Sequence, residues 1–107
     1  MKLDMLKGQL ELVALASLRE GPKHGYAIIK ELRERSGGEF DLLEGTLYPA
    51  LHRLEHAGLI RSRWSTVGGR RRRVYELTKR GAREFAEQES EWHRFARTLD
   101  SVLAEIT

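Results

Sequence analysis

Four consecutive arginines, Arg70 to Arg73, follow the glycine pair Gly68-Gly69. Guanidinium groups packed this closely repel one another. An isolated fold gains nothing from the run, so an anionic ligand is the better reason for it. The bias is wider than the run itself. Six arginines and no acid lie between Arg61 and Arg73, whereas from Glu84 to Thr107 six acids stand against Arg94 and Arg97. A basic middle joined to an acidic end implies a polyanion-binding surface attached to a part that is not one. The bland alternative is a solvated charged strand, which is all that Arg61 and Arg63 require.

A second group of chemistry-bearing side chains lies upstream. Leu47, Ala50, Leu51 and Leu54 recur at i, i+3, i+4, i+7, an inward helical stripe that leaves Thr46, Tyr48, Pro49, His52, Arg53 and His56 facing outward. Near a helix N-terminus, where unpaired N–H groups add partial positive charge, Thr46 and Tyr48 suit contact with a phosphate or a base edge. His52 and Arg53, one turn further in, suit base edges. Lys23 and His24, ahead of another helix, suit a further phosphate. Tyr48 has a competing reading as a core ring with its hydroxyl at the surface, and Trp64 is expected to pack in the core or at the sheet edge. His52 and His56 stand at the i, i+4 spacing that metals use, but there is no cysteine and no third ligand nearby, so no metal site is expected. Nothing points to an enzyme. No Ser-His-Asp set, pocketed carboxylate pair or Walker pattern can be argued, and Gly68-Gly69-Arg70 lacks the lysine and following helix of a nucleotide cradle. No cofactor is expected.

These residues need a scaffold, and 107 residues without cysteine suffice for one domain in a reducing compartment. Five segments are legible. The first helix spans about Leu3 to Leu18. It is apolar on most sides and is therefore expected to be buried on most sides, until Glu20-Gly21-Pro22 stops it. The second runs from about His24 to Ser36 with Tyr26, Ile28, Ile29 and Leu32 inward, ended by Gly37-Gly38. The third starts near Gly45-Thr46, because Pro49 is tolerable only in a first turn, and ends at Gly58 with Leu59 folding back. A strand pair follows, Leu59 to Trp64 and Arg71 to Leu77. Ile60, Trp64, Tyr75 and Leu77 are inward, and a tip runs over Thr66 to Arg70. Thr78 caps a long last helix in which Phe85, Trp92, Leu99 and Ile106 are seven apart and Phe95 and Val102 fill the offset positions. That helix is too long for its own domain to cover, so its stripe calls for a second chain. The alternative is a helix folded back on the core.

The fold class is therefore mainly α with a small β-hairpin: a winged helix-turn-helix over residues 1–78, plus a C-terminal dimerisation helix over residues 79–107, as one compact unit. In this arrangement the third helix enters a major groove and the wing, Gly69, Arg70, Arg71 and Arg72, lies along the backbone or in the minor groove. Double-stranded DNA and a second copy of the chain are the expected partners. The alternative is a protein-interaction or adaptor module that uses a winged helix without DNA. No stretch is long and apolar enough to span a membrane, and the N-terminus runs straight into Leu3, Asp4, Leu6 and Lys7, so a cytoplasmic location is expected.

The chain resembles the PadR family of bacterial transcriptional regulators. The likeness is carried by Leu10 to Ala16, Gly21-Pro22-Lys23-His24-Gly25-Tyr26, Gly45-Thr46-Leu47-Tyr48-Pro49-Ala50-Leu51-His52-Arg53-Leu54-Glu55, Gly58-Leu59-Ile60, and the basic wing through Tyr75 to Gly81. It runs from about Leu6 to Gly81, and the single last helix is similar to the compact branch of the family. The resemblance implies a dimeric repressor on a roughly palindromic operator, released by a small-molecule inducer. It also implies that the first and last helices exchange contacts across the two-fold axis, with Leu6 and Leu10 joining Phe85, Trp92, Phe95, Leu99, Val102 and Ile106 at the interface. In some members of the compact branch a tryptophan of the last helix stacks on flat aromatic ligands. Trp92 matches it by position, with plain packing in the dimer core as the alternative. The chain departs from the family at Glu44, where a proline often precedes the Gly-Thr pair. An acid there repels phosphate unless it caps the helix or binds Arg53.

Overall fold

The computed structural model describes residues 3–105. Helices α1 (Leu3–Lys7) and α2 (Leu10–Ser17) replace the single first helix expected from the sequence. The break falls at Gly8, the poorest helix former of the stretch, and Gln9 N–H closes a turn onto the Leu6 carbonyl at 2.8 Å. Leu6 and Leu10 flank the kink and both reach the core. Ser17 is buried without cost because its hydroxyl donates to the Ala14 carbonyl at 2.6 Å.

Strand β1 (Lys23–His24) leads into helix α3 (Gly25–Arg35), which turns Ile28, Ile29 and Leu32 inward. Tyr26 was expected in that stripe and is instead 56% exposed, because it sits on the first turn, beyond the edge of the core. Helix α4 (Glu44–His56) begins ahead of the expected Gly45-Thr46 start. Pro49 consequently stands in the second turn, not the first. It is tolerated because it is on the wet face, and because the Gly45 carbonyl it leaves without a helical donor belongs to an exposed residue that solvent can reach. The C-terminus is closed by paired bonds from Gly58 N–H to the Glu55 carbonyl and from Leu59 N–H to the Leu54 carbonyl, both 3.0 Å.

Strands β2 (Ile60–Val67) and β3 (Arg70–Leu77) pair antiparallel, and β1 adds to the other edge of β3, giving the order β1-β3-β2. The hairpin tip is tighter than expected. Thr66 and Val67 pair with Arg71 and Arg70, leaving only Gly68 and Gly69, at φ +57° and +77°, the geometry of a two-residue type I′ turn. The core is one cluster whose largest fully buried side chains are Leu15, Ile28, Leu47, Leu51, Leu54 and Ile60.

Helix α5 (Lys79–Leu103) is capped by Thr78, whose hydroxyl oxygen accepts from Gly81 N–H at 3.0 Å. Its first turn is pressed onto the core. A Cβ at Gly81 would lie 1.8 Å from the Leu59 carbonyl oxygen, so only glycine fits. At 1.5 Å per residue, 25 residues of helix reach about 37 Å, and the molecule is drawn out to 62 Å along its longest axis.

Candidate nucleic-acid interface

The inward stripe of α4 is closed: Leu47, Ala50 and Leu51 have no exposed surface and Leu54 has 1%. This anchoring turns Pro49, His52, Arg53 and His56 to solvent, with Thr46 and Tyr48 half-buried beside them. The Tyr48 ring touches both the core and the surface. It packs against the core, where its hydroxyl occupies the space a Cβ would need at Gly25, 2.6 Å away, and it also lines the groove described below.

Strand alternation divides the arginine run. Trp64 lies opposite Arg73 and Thr66 opposite Arg71, on the same face as Ile60, Tyr75 and Leu77, while Arg70 and Arg72 take the other face. Trp64 is 53% exposed rather than packed in the core, because it sits further along the ribbon than the core extends. It carries the two arginines of its own face instead. The Arg71 guanidinium lies 4.6 Å and that of Arg73 5.2 Å from its ring centre, within cation–π range. Arg73 Nε also donates to the Ser62 hydroxyl at 2.9 Å, which in turn donates to Glu55 of α4 at 2.6 Å. The wing is therefore tied to the helix it flanks. Arg61 is held by Glu76 at 2.8 Å, as a residue that merely solvates its strand would be.

Several expected contact residues already have work inside the chain. Lys23 donates to the Ser17 carbonyl at 2.7 Å and pairs with Glu31 at 3.8 Å. His24 caps α3, its Nδ1 accepting from Ala27 N–H at 3.2 Å, and an Arg72 nitrogen lies 3.2 Å from its Nε2. Burial and, after it, the Arg72 charge hold the imidazole below its ordinary pKa of 6.5. Arg53 pairs with Glu11 of α2 at 3.0 Å and not with Glu44. Lys23 and Arg53 thus both hold partners within the chain.

What the fold brings together is a groove of about 750 Å³ between the N-terminal ends of α3 and α4 and the wing. Arg70, Arg71, Arg72 and Arg73 line it together with His24, Gly25, Tyr26, Tyr48, Trp64, Tyr75 and Glu44. Sequence reasoning missed Tyr26 and Trp64 as parts of this wall. Their spacing matched the apolar periodicity and gave no sign that the core stops short of them. Glu44 was visible only as a departure from a motif. Among the described residues no group of three or more potential ligands could hold a metal ion, and no helix is long and apolar enough to cross a membrane.

A second surface lies on α5. Trp92, Phe95, Leu99 and Val102 are 40%, 60%, 42% and 75% exposed, and Leu103 is 69% exposed. Phe85, Leu6 and Leu10, expected at the interface between chains, are instead buried in this chain's own core. Ile106 lies outside the described residues. Trp92 borders two shallow grooves between α5 and α2, sharing Leu12 with both and Phe95 with one.

Residues 14–87 match the family model described as the transcriptional regulator PadR-like family. The chain is 42% identical over 96 residues to transcriptional regulator Rv3488 of Mycobacterium tuberculosis, covering 90% of this chain and 87% of that one. Among solved structures, a transcriptional regulator from Clostridium thermocellum superposes with a TM-score of 0.87 at 28% identity, covering 97% of this chain and 99% of the other. A PadR family regulator from Eggerthella lenta gives 0.84 at 34% identity, with 97% and 89% covered.

Proposed function

This chain belongs to the PadR-like family of transcriptional regulators, a DNA-binding regulator and not an enzyme, and from that premise we propose that it works as a homodimeric repressor on a roughly palindromic operator. Residues 1–78 supply the DNA surface and residues 79–107 the dimer surface. The observation that carries the reading is the distal apolar stripe of α5, Phe95, Leu99 and Val102, which the described residues leave exposed. A stripe of this kind is stable in water when a second copy lies on it.

Each protomer presents α4 to a major groove and its arginine ribbon to the flanking backbone. Thr46, Tyr48, Pro49, His52 and the wing from Gly69 to Arg72 are the contact residues. Lys23, His24 and Arg53 join them by exchanging their internal partners for phosphates. Arginine on both faces of the ribbon favours this over an adaptor role without DNA. Trp92, at the edge of the stripe and flanked by grooves, is proposed to stack on a flat aromatic effector that frees the operator.

The test is a gel shift on the region upstream of the chain's own gene, combined with sedimentation and tryptophan fluorescence. Expected are a dimer at micromolar concentration, binding that weakens about a thousandfold or more between 50 and 200 mM salt, and quenching by flat aromatic compounds that also lowers DNA affinity. A monomer, or indifference to duplex DNA in dilute buffer, overturns the reading. A tightly packed Trp92 deaf to every such compound removes the effector alone.

A further inference from the structure

Among the described residues, Glu44 is the one acid on the wall of the arginine groove. It is the first residue of α4 and exposed, and its carboxylate has no hydrogen bond or ion pair among the described residues. The cation expected to neutralise it, Arg53, is occupied by Glu11 at 3.0 Å. It stands at the positive end of the α4 dipole, where an acid is well placed. A charge so placed reduces the attraction of the groove for phosphate, so it needs a donor of its own on the DNA.

We infer that Glu44 is a specificity residue that accepts a hydrogen bond from the exocyclic amino group of a cytosine in the major groove. This rests on the reading of α4 as the groove-entering helix. Only cytosine N4 and adenine N6 offer donors on the major-groove edge. Adenine sets its N7 acceptor beside the amino group, where it repels the second carboxylate oxygen. Cytosine carries no acceptor of its own on that edge, so its amino group is flanked by an acceptor only on the side of the paired guanine, whereas that of adenine is flanked on both. Where no amino group lies within reach, Glu44 meets phosphate, methyl or acceptor atoms, which makes it a penalty against wrong sequences as much as a contact to the right one.

The experiment is selection from a randomised duplex library by the full chain, wild type, Glu44→Gln and Glu44→Ala, with the melting temperature of each protein measured alongside. The wild type is expected to return cytosine at one position of each half-site. Glu44→Gln changes that position to adenine, whose N6 and N7 match an amide. Glu44→Ala loses the preference there by roughly tenfold in relative affinity and binds an unrelated duplex more tightly, because a charge that repelled phosphate is gone. Identical base preferences in all three proteins overturn the inference, whether or not a melting temperature falls, since a purely structural Glu44 moves stability alone. A wild type that selects no sequence at all sinks the DNA reading and this inference together, whereas selection that ignores residue 44 sinks only the inference.

Discussion

Helices α4 and α5 carry apolar residues at the same helical spacings and meet opposite fates. Leu47, Ala50, Leu51 and Leu54 of α4 are sealed to 1% exposure or less, whereas Phe95, Leu99 and Val102 of α5 remain 42% to 75% exposed. Periodicity declares that a face wants covering and is silent on what covers it. For α4 the cover is α2, α3 and β2 of the same chain. For α5 the cover changes along its length: Gly81 and Phe85 are pressed onto the core, and beyond Trp92 the helix outruns it. The fully buried stripe fixes the outward face of α4, proposed to read DNA, and the open one offers the surface proposed for a second copy.

The contrast can be broken most forcefully on α4. Leu51→Ala removes a side chain with no exposed surface and is expected to cost about 2–5 kcal/mol in chemical denaturation; a loss below about 1 kcal/mol would mean that the stripe is less tightly packed than its burial indicates. On α5, Phe95→Glu together with Leu99→Glu is expected to leave far-ultraviolet circular dichroism intact while sedimentation moves from dimer to monomer. If the double variant stays dimeric, the stripe is not the interface. A smaller change is expected on the wing, where Arg71→Ala with Arg73→Ala should flatten the slope of log affinity against log salt by roughly 1.8 if both reach phosphates. An unchanged slope would confine those guanidinium groups to Trp64.

The smallest expected effect concerns His24. Its folded pKa is held below 6.5, so below that pH the unfolded chain binds the proton more readily than the folded one. Its stabilising contribution is present above pH 6.5 and is lost as the pH falls through the folded pKa. His24→Asn keeps a helix-capping side chain and removes the titration, so its melting temperature should decline less than that of wild type below pH 6.5. Parallel declines would show that His24 is not responsible.

What the sequence disclosed follows from how local each signal is. The α4 stripe, the Thr78 cap and the Gly58 terminus are set within a few residues and are read directly. The start of α4 was misplaced because Pro49 was weighed against helix geometry without knowing that its face, and that of Gly45, is wet. Strand parity placed Trp64 on the same face as Ile60 but could not show how far along the ribbon the core extends. The Arg53–Glu11 pair joins residues 42 apart in the chain. It cannot be read from either neighbourhood, and it gives the Arg53 guanidinium a partner within the chain. The two-residue strand β1 is too short to leave a pattern of its own and exists because the β3 edge is there to receive it.

The two-glycine tip has a consequence for how this ribbon can evolve. With no slack between Val67 and Arg70, the parity of the strand alone decides which arginines rest on the indole and which turn away. Losing or gaining one residue between the tip and Tyr75 would exchange the two pairs while leaving composition and charge almost untouched. Substitutions along this stretch are thus a matter of side-chain chemistry, but a single-codon insertion or deletion would turn the gripping edge inside out.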